Sequence, residues 1–126
     1  MIIIFCFFVC RAEAQQHDVF MDSIPEICDN VPDKDYISIC QEAKHFQVTP
    51  RYFIATSVLA NSEFVAKKCN FKLIDNFNTI KNNILASENR KRIYTVAMQG
   101  KEVLEKTNSA WCKREYQAWK GYGLLK

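Results

Sequence analysis

Cys69 and Cys112 constrain this chain more than any other pair of residues, because they bracket two stretches of helical apolar spacing in a polypeptide that begins like an exported one. Oxidised together, the two thiols would turn that segment into a closed loop clamped between the helix before it and the helix after it. In the chain-entropy account, a loop of about 40 residues stabilises the folded state by roughly 4 kcal/mol. Oxidation requires an oxidising compartment, and the N-terminus bears on that. Ile2 to Cys10 is an apolar run of nine residues, well short of the about 20 needed to span a bilayer as a helix. Ala12-Glu13-Ala14 follows it as an A-x-A cleavage signature. No Lys or Arg precedes the run, which departs from the usual signal pattern. The expectation is a signal peptide over 1–14, cleavage near Ala14, export to the periplasm or beyond the cell, and no stable membrane insertion afterwards.

Cleavage removes Cys6 and Cys10, so four of the six cysteines remain: Cys28, Cys40, Cys69 and Cys112. An even number in an exported chain predicts two disulfides, and four cysteines allow three connectivities. Cys28–Cys40 with Cys69–Cys112 is preferred, since the first joins an irregular leader to the first helix and the second closes the helical loop. Sequence alone leaves the other two open. In this reading the cysteines are cement rather than reactive thiols. Arg11 and Glu13 leave together, so the net charge stays at +3.

Glycine and proline are scarce, three of each in 126 residues. That scarcity disfavours a turn-rich β-sandwich and predicts an all-α fold, a compact bundle of about five helices in one domain over 33–126. Residues 15–32 carry Pro25 and Pro32 without a sustained helical period, which predicts an extended leader held down by Ile24, Ile27 and Cys28. Asp33 is placed to cap a first helix over 34–46, in which Tyr36, Ile37, Cys40, Ala43 and Phe46 recur at helical spacing. Thr49-Pro50 is the clearest start signal: the Thr oxygen can accept from an orphan amide, and Pro at the first position loses no hydrogen bond. The helix it opens should run to Cys69, with Asn61 as a satisfied buried amide inside its apolar stripe and Arg51, Glu63, Lys67 and Lys68 outside it. Leu73, Ile74, Phe77, Ile80, Ile84 and Leu85 predict a third helix over 72–86. Ser87 is expected to cap a fourth, buried along Ile93, Val96, Ala97, Gly100, Val103 and Leu104, with Gly100 admitting another helix closely. Asn108 or Ser109 opens the last, which Gly121 and Gly123 end, leaving Leu124-Leu125-Lys126 as a tail.

Chemistry is harder to find. The sequence holds no H-E-x-x-H, Cys-x-x-Cys, G-x-S-x-G or glycine-rich phosphate loop. His17 lies in the leader. His45 follows Cys40 by five positions, which turns the two side chains apart on a helix and disfavours a nucleophilic pair. Glu63, Asp75, Glu102 and Glu105 are scattered over helix faces. No catalytic residue, cofactor site or metal site is predicted.

Two features remain as candidate partner-binding surfaces. Arg90, Lys91 and Arg92 are consecutive cations at a helix start, opposing the macrodipole, and would suit an acidic protein surface. Export, a small net charge and the absence of interleaved aromatics argue against nucleic acid. Tyr122, Leu124 and Leu125 lie beyond a helix stop, where exposed apolar residues indicate a contact.

The stretch from Tyr52 to Cys112 has a helix ending in Cys69, a helix with Leu73-Ile74-x-x-Phe77-x-x-Ile80, and an Ala97-containing helix leading to Ala110-Trp111-Cys112. In this layout it resembles small exported helical proteins of Gram-negative bacteria, among them periplasmic immunity proteins that neutralise peptidoglycan amidase effectors. The resemblance implies a non-catalytic, protein-binding inhibitor or secreted effector. A structural or assembly component of the cell envelope is the alternative, and an enzyme of unrecognised type comes after both.

Overall fold

A helix with small residues on every side can only sit at the centre of a bundle, and α3 (Pro50–Cys69) is such a helix. Every residue from Ala55 to Ala66 except Ser57 is buried, including Thr56, Ser62 and Glu63. Its start follows the Thr49-Pro50 signal: the Thr49 hydroxyl accepts from the Tyr52 amide at 3.3 Å, and Pro50 stands in the first turn. Asn70 ends it in the left-handed region at φ 58°, with its amide donating to the Ala66 carbonyl.

The computed structural model describes residues 19–26, 28, 34–102 and 108–126. The expected signal peptide over 1–14, His17, Ile27, the Asp33 cap, Val103, Leu104 and Glu105 lie outside these. Around α3 stand α2 (Lys34–His45), α4 (Phe77–Ile84), α5 (Glu88–Glu102) and α6 (Ser109–Trp119), all in contact with it. A 3-10 turn, Lys120–Tyr122, follows α6, and a helical turn, α1, is described over 19–22. The fold is all-α, with two disulfides pairing Cys28 with Cys40 and Cys69 with Cys112 at Cα separations of 5.8 and 5.7 Å. Of the three connectivities, this is the preferred one. Asn108 opens α6, its side-chain oxygen accepting from the Trp111 amide at 2.8 Å, and Asn61 donates to the Ser57 carbonyl at 2.6 Å.

Five local expectations are corrected. The leader is not extended throughout: α1 puts Phe20 and Met21 into the core beside Ile24. Arg51 fastens it, donating from Nε to the Met21 carbonyl at 3.2 Å and lying 3.6 Å from both Asp22 and Glu26. Ordering residues 19–26 and 28 costs on the order of 10 kcal/mol in backbone entropy, against roughly 6 kcal/mol from burying three apolar side chains. The Cys28–Cys40 bond and the Arg51 contacts supply the remainder.

The third helix is shorter than the 72–86 its spacing predicts. Leu73 and Ile74 leave the helix because the chain end claims their backbone: the Ile74 amide donates to the Leu124 carbonyl at 3.0 Å and the Lys126 amide to the Lys72 carbonyl at 2.8 Å. Leu73 and Leu125 form an isolated antiparallel bridge. Leu124-Leu125-Lys126 is therefore no loose tail. Leu124 is 1% and Leu125 7% exposed, so both are buried rather than exposed apolar residues beyond a helix stop.

On α2, Ala43 is buried whereas Tyr36 and Ile37 are exposed, because the helix turns Ala43 toward α3. On α5, Ile93 is buried but Val96 is 55% exposed, and a Cβ added at Gly100 would meet nothing within 4 Å. No helix among the described residues approaches there, which fixes the expected effect of filling the position. Gly100→Ala should stabilise the protein by about 0.5–1 kcal/mol through backbone entropy alone. A shift of the urea midpoint upward with unchanged slope is the measurement; a downward shift would mean that something packs on Gly100.

Candidate functional site

The leader and the chain end stand on either side of an open cavity of about 610 Å³. Val19, Phe20 and Ser23 form one wall, Ile74 and Ile80 the floor, and Tyr122 and Leu124 the other wall. Val19, at 70% exposure, stands at its mouth. The sequence builds this shape by omission as much as by filling. Gly123 takes φ +83°, which glycine adopts without strain, and so turns the chain from the 3-10 turn back toward Leu124. A Cβ at Gly121, also on the wall, would meet nothing within 4 Å. Trp119 backs Tyr122 with ring centres 6.0 Å apart.

The polar groups at this cavity are few. The Ser23 hydroxyl donates to the Phe20 carbonyl at 2.6 Å, and Asn76 lies at the edge of the floor. Among the described residues, no carboxylate, imidazole or amine lines it. Such a site can desolvate an apolar group and orient it through one or two hydrogen bonds.

Among the described residues, the buried charge lies elsewhere. Glu63 on α3, its side chain 8% exposed, accepts from Lys81 on α4, with Nζ 2.9 Å from Oε2, and from Lys67 one turn on at 3.2 Å. The Tyr94 hydroxyl on α5 donates to the same carboxylate, and Lys81 lies 4.8 Å from the Tyr94 ring centre. Burial pulls the Glu63 carboxyl upward, but hydrogen bonds from Tyr94, Lys81 and Lys67 outweigh it and hold the group below its ordinary 4.5. Burial first, then the bond to Glu63, pushes the Tyr94 hydroxyl well above its ordinary 10.0. A carboxylate this fully engaged is a poor base, and a phenol so shifted stays protonated; the cluster locks three helices together.

Both shifts carry a pH dependence. A carboxyl depressed in the folded state contributes stability above about 4.5 that is lost as pH falls through its folded value; a phenol raised in the folded state contributes stability below about 10 that is lost as pH rises further. Unfolding free energy should therefore fall on both the acid and the alkaline side. Glu63→Gln should flatten the acid limb and Tyr94→Phe the alkaline one in urea titrations across pH; limbs unchanged in these variants would remove the cluster from the account.

The sequence-derived candidates separate. Arg90 lies over the Tyr52 ring, its guanidinium carbon 4.2 Å from the centroid, and is thereby spent on packing. Lys91 and Arg92 are exposed and held by neighbours one turn back, Lys91 on Glu88 at 3.2 Å and Arg92 on Asn89 at 2.6 Å. Tyr122 and Leu124 do meet at one site, as walls of the cavity, whereas Leu125 is buried and bridged to Leu73. The Cys28–Cys40 and Cys69–Cys112 sulfurs are paired, and exposed His45 packs edge-on to Phe46 at 5.5 Å. Asp75 is exposed and paired with Lys126 at 2.8 Å. Among the described residues no group of three or more His, Cys, Asp or Glu could hold a metal ion, and no helix is long and apolar enough to cross a membrane. Two features escaped the sequence: Glu63, read as outside the apolar stripe, and the leader wall. The small residues on all faces of α3 were the signal that could have placed Glu63 inside.

No protein-family model, curated protein or solved structure matches this chain.

Proposed function

We propose that the chain is an exported, non-catalytic protein-binding module, an inhibitor or immunity-like protein of the periplasm or a secreted effector, that takes an apolar group of its partner into the cavity between leader and chain end. The observation that carries this reading is the cavity itself, apolar, open, and guarded by an exposed Val19. Two disulfides in so small a helical domain support life in an oxidising compartment. The resemblance in layout that the sequence bears to amidase-effector immunity proteins would favour a protein rather than a small molecule as the partner. Lys91 and Arg92 add an exposed positive field that would speed encounter with a partner of acidic surface.

Site-directed photo-crosslinking in the producing cell tests it. A benzophenone side chain at Val19 or Gly121 should give a discrete protein adduct that the same group at exposed Lys113 on α6 does not. Adducts no different from those of the Lys113 control would sink the reading. Retention with membranes after salt washing, with no adduct at the cavity, would instead favour the envelope-component alternative.

A further inference from the structure

We propose that the Cys28–Cys40 disulfide is an exchangeable latch on the leader wall of the cavity, opened by an exported dithiol. The functional meaning of the latch rests on the binding reading above; its chemistry does not. The two disulfides stand in different settings. Cys69 and Cys112 join helices that already pack on each other, with Phe64 and Trp111 in edge-to-face contact at 6.4 Å beside the bond. Cys28 and Cys40 join the leader to α2, and both line a separate open cavity of about 220 Å³, along with Ile37, Gln41 and Lys44. A small thiol entering that cavity would meet both cysteines, which are half-buried. Lys44 stands four residues after Cys40 on the same face of α2, where its ammonium favours a thiolate leaving from Cys40. Cys28 also holds φ at 85°, in the region that favours glycine, and opening the bond would let it relax.

The exchange balances without further reagents. One thiolate of the dithiol attacks the Cys28 sulfur, the S–S bond breaks, and its electron pair leaves on Cys40 beside Lys44. The second thiolate then displaces Cys28 from the mixed disulfide. The dithiol becomes a disulfide, and its two protons end on Cys28 and Cys40. Without the bond, α1 is held by three buried side chains and Arg51 against the entropy of its own ordering, so the wall made by Val19, Phe20 and Ser23 detaches while α3 and its partners stay folded.

The test uses the oxidised protein and dithiothreitol as the probe. Timed alkylation with peptide mapping should label Cys28 and Cys40 at least ten-fold faster than Cys69 and Cys112. With only the first pair reduced, hydrogen exchange should rise at least ten-fold at the Ser23 and Ile24 amides, which donate to Phe20 and Met21, with α3 still protected. Lys44→Glu should slow reduction of the first pair several-fold, Lys44→Arg should restore it, and the Cys28→Ser, Cys40→Ser double variant should show the released leader permanently. Equal labelling of both pairs, an unchanged leader after selective reduction, or loss of protection throughout α3 would each overturn the latch. None of these readouts involves a partner, so they stand whatever crosslinking shows.

Discussion

Lys81→Met is expected to lower the unfolding free energy by about 3 kcal/mol, because it strands a buried carboxylate without its nearest cation. Lys81 gives Glu63 its closest ion pair, at 2.9 Å, and covers the Tyr94 ring. What remains after the substitution is one phenol donor and the exposed ammonium of Lys67, which gains little from a pairing screened by water. Urea unfolding at pH 7 measures the change as a shift of midpoint. The double variant Glu63→Gln, Lys81→Met then decides the cause: with no charge left to bury, it should recover at least half of the loss. A single variant within about 0.5 kcal/mol of the parent protein would show that Tyr94 and Lys67 satisfy Glu63 unaided. The effect should also reach the cavity, since Lys81 follows Ile80 on α4 and anchors the helix that supplies its floor.

How far the fold could be read in advance depended on the range of the interaction that decides each element. Thr49-Pro50 and Asn108 act within one turn, and both helices begin where those residues place them. Helix order favours this cysteine pairing over its two alternatives, and helix order is itself local. Leu73 and Ile74 mark where such reading stops. Their spacing is helical, yet their backbone serves a segment some 50 positions away, and nothing near them in sequence announces it. Glu63 is the same case in side chains: whether a carboxylate beside an apolar stripe is solvated or buried depends on what α4 and α5 place opposite it. Val96 and Gly100 err in the other direction, matching a core period on a helix whose outer face is left uncovered among the described residues. The cavity was the least legible feature, being assembled from the leader, the loop before α4, α4 itself and the turn after α6. Of its lining residues, only Tyr122 and Leu124 carry a contact signal in the sequence, shared with Leu125, which does not line it.

Leu124→Ala separates those two roles. A leucine at the chain end that merely awaited a partner would be replaceable without cost to folding, and the change would be visible only in binding. Leu124 is instead 1% exposed and belongs to the central cluster with Phe20, Leu59 and Ile80, so its truncation removes buried methyl groups and enlarges a cavity that cannot collapse onto the rigid α3. The expected loss is about 3 kcal/mol, read as a fall of roughly 10 °C in the thermal midpoint for a domain of this size. Its backbone bond to Ile74 is unaffected by the substitution, so the loss reports the side chain alone. Lys126→Gln, which removes an exposed, water-screened pair with Asp75, should by comparison leave the thermal midpoint essentially unchanged. If the two variants behaved alike, the chain end would be a surface feature after all, and the wall that Leu124 gives the cavity would have to be formed by the partner rather than offered to it.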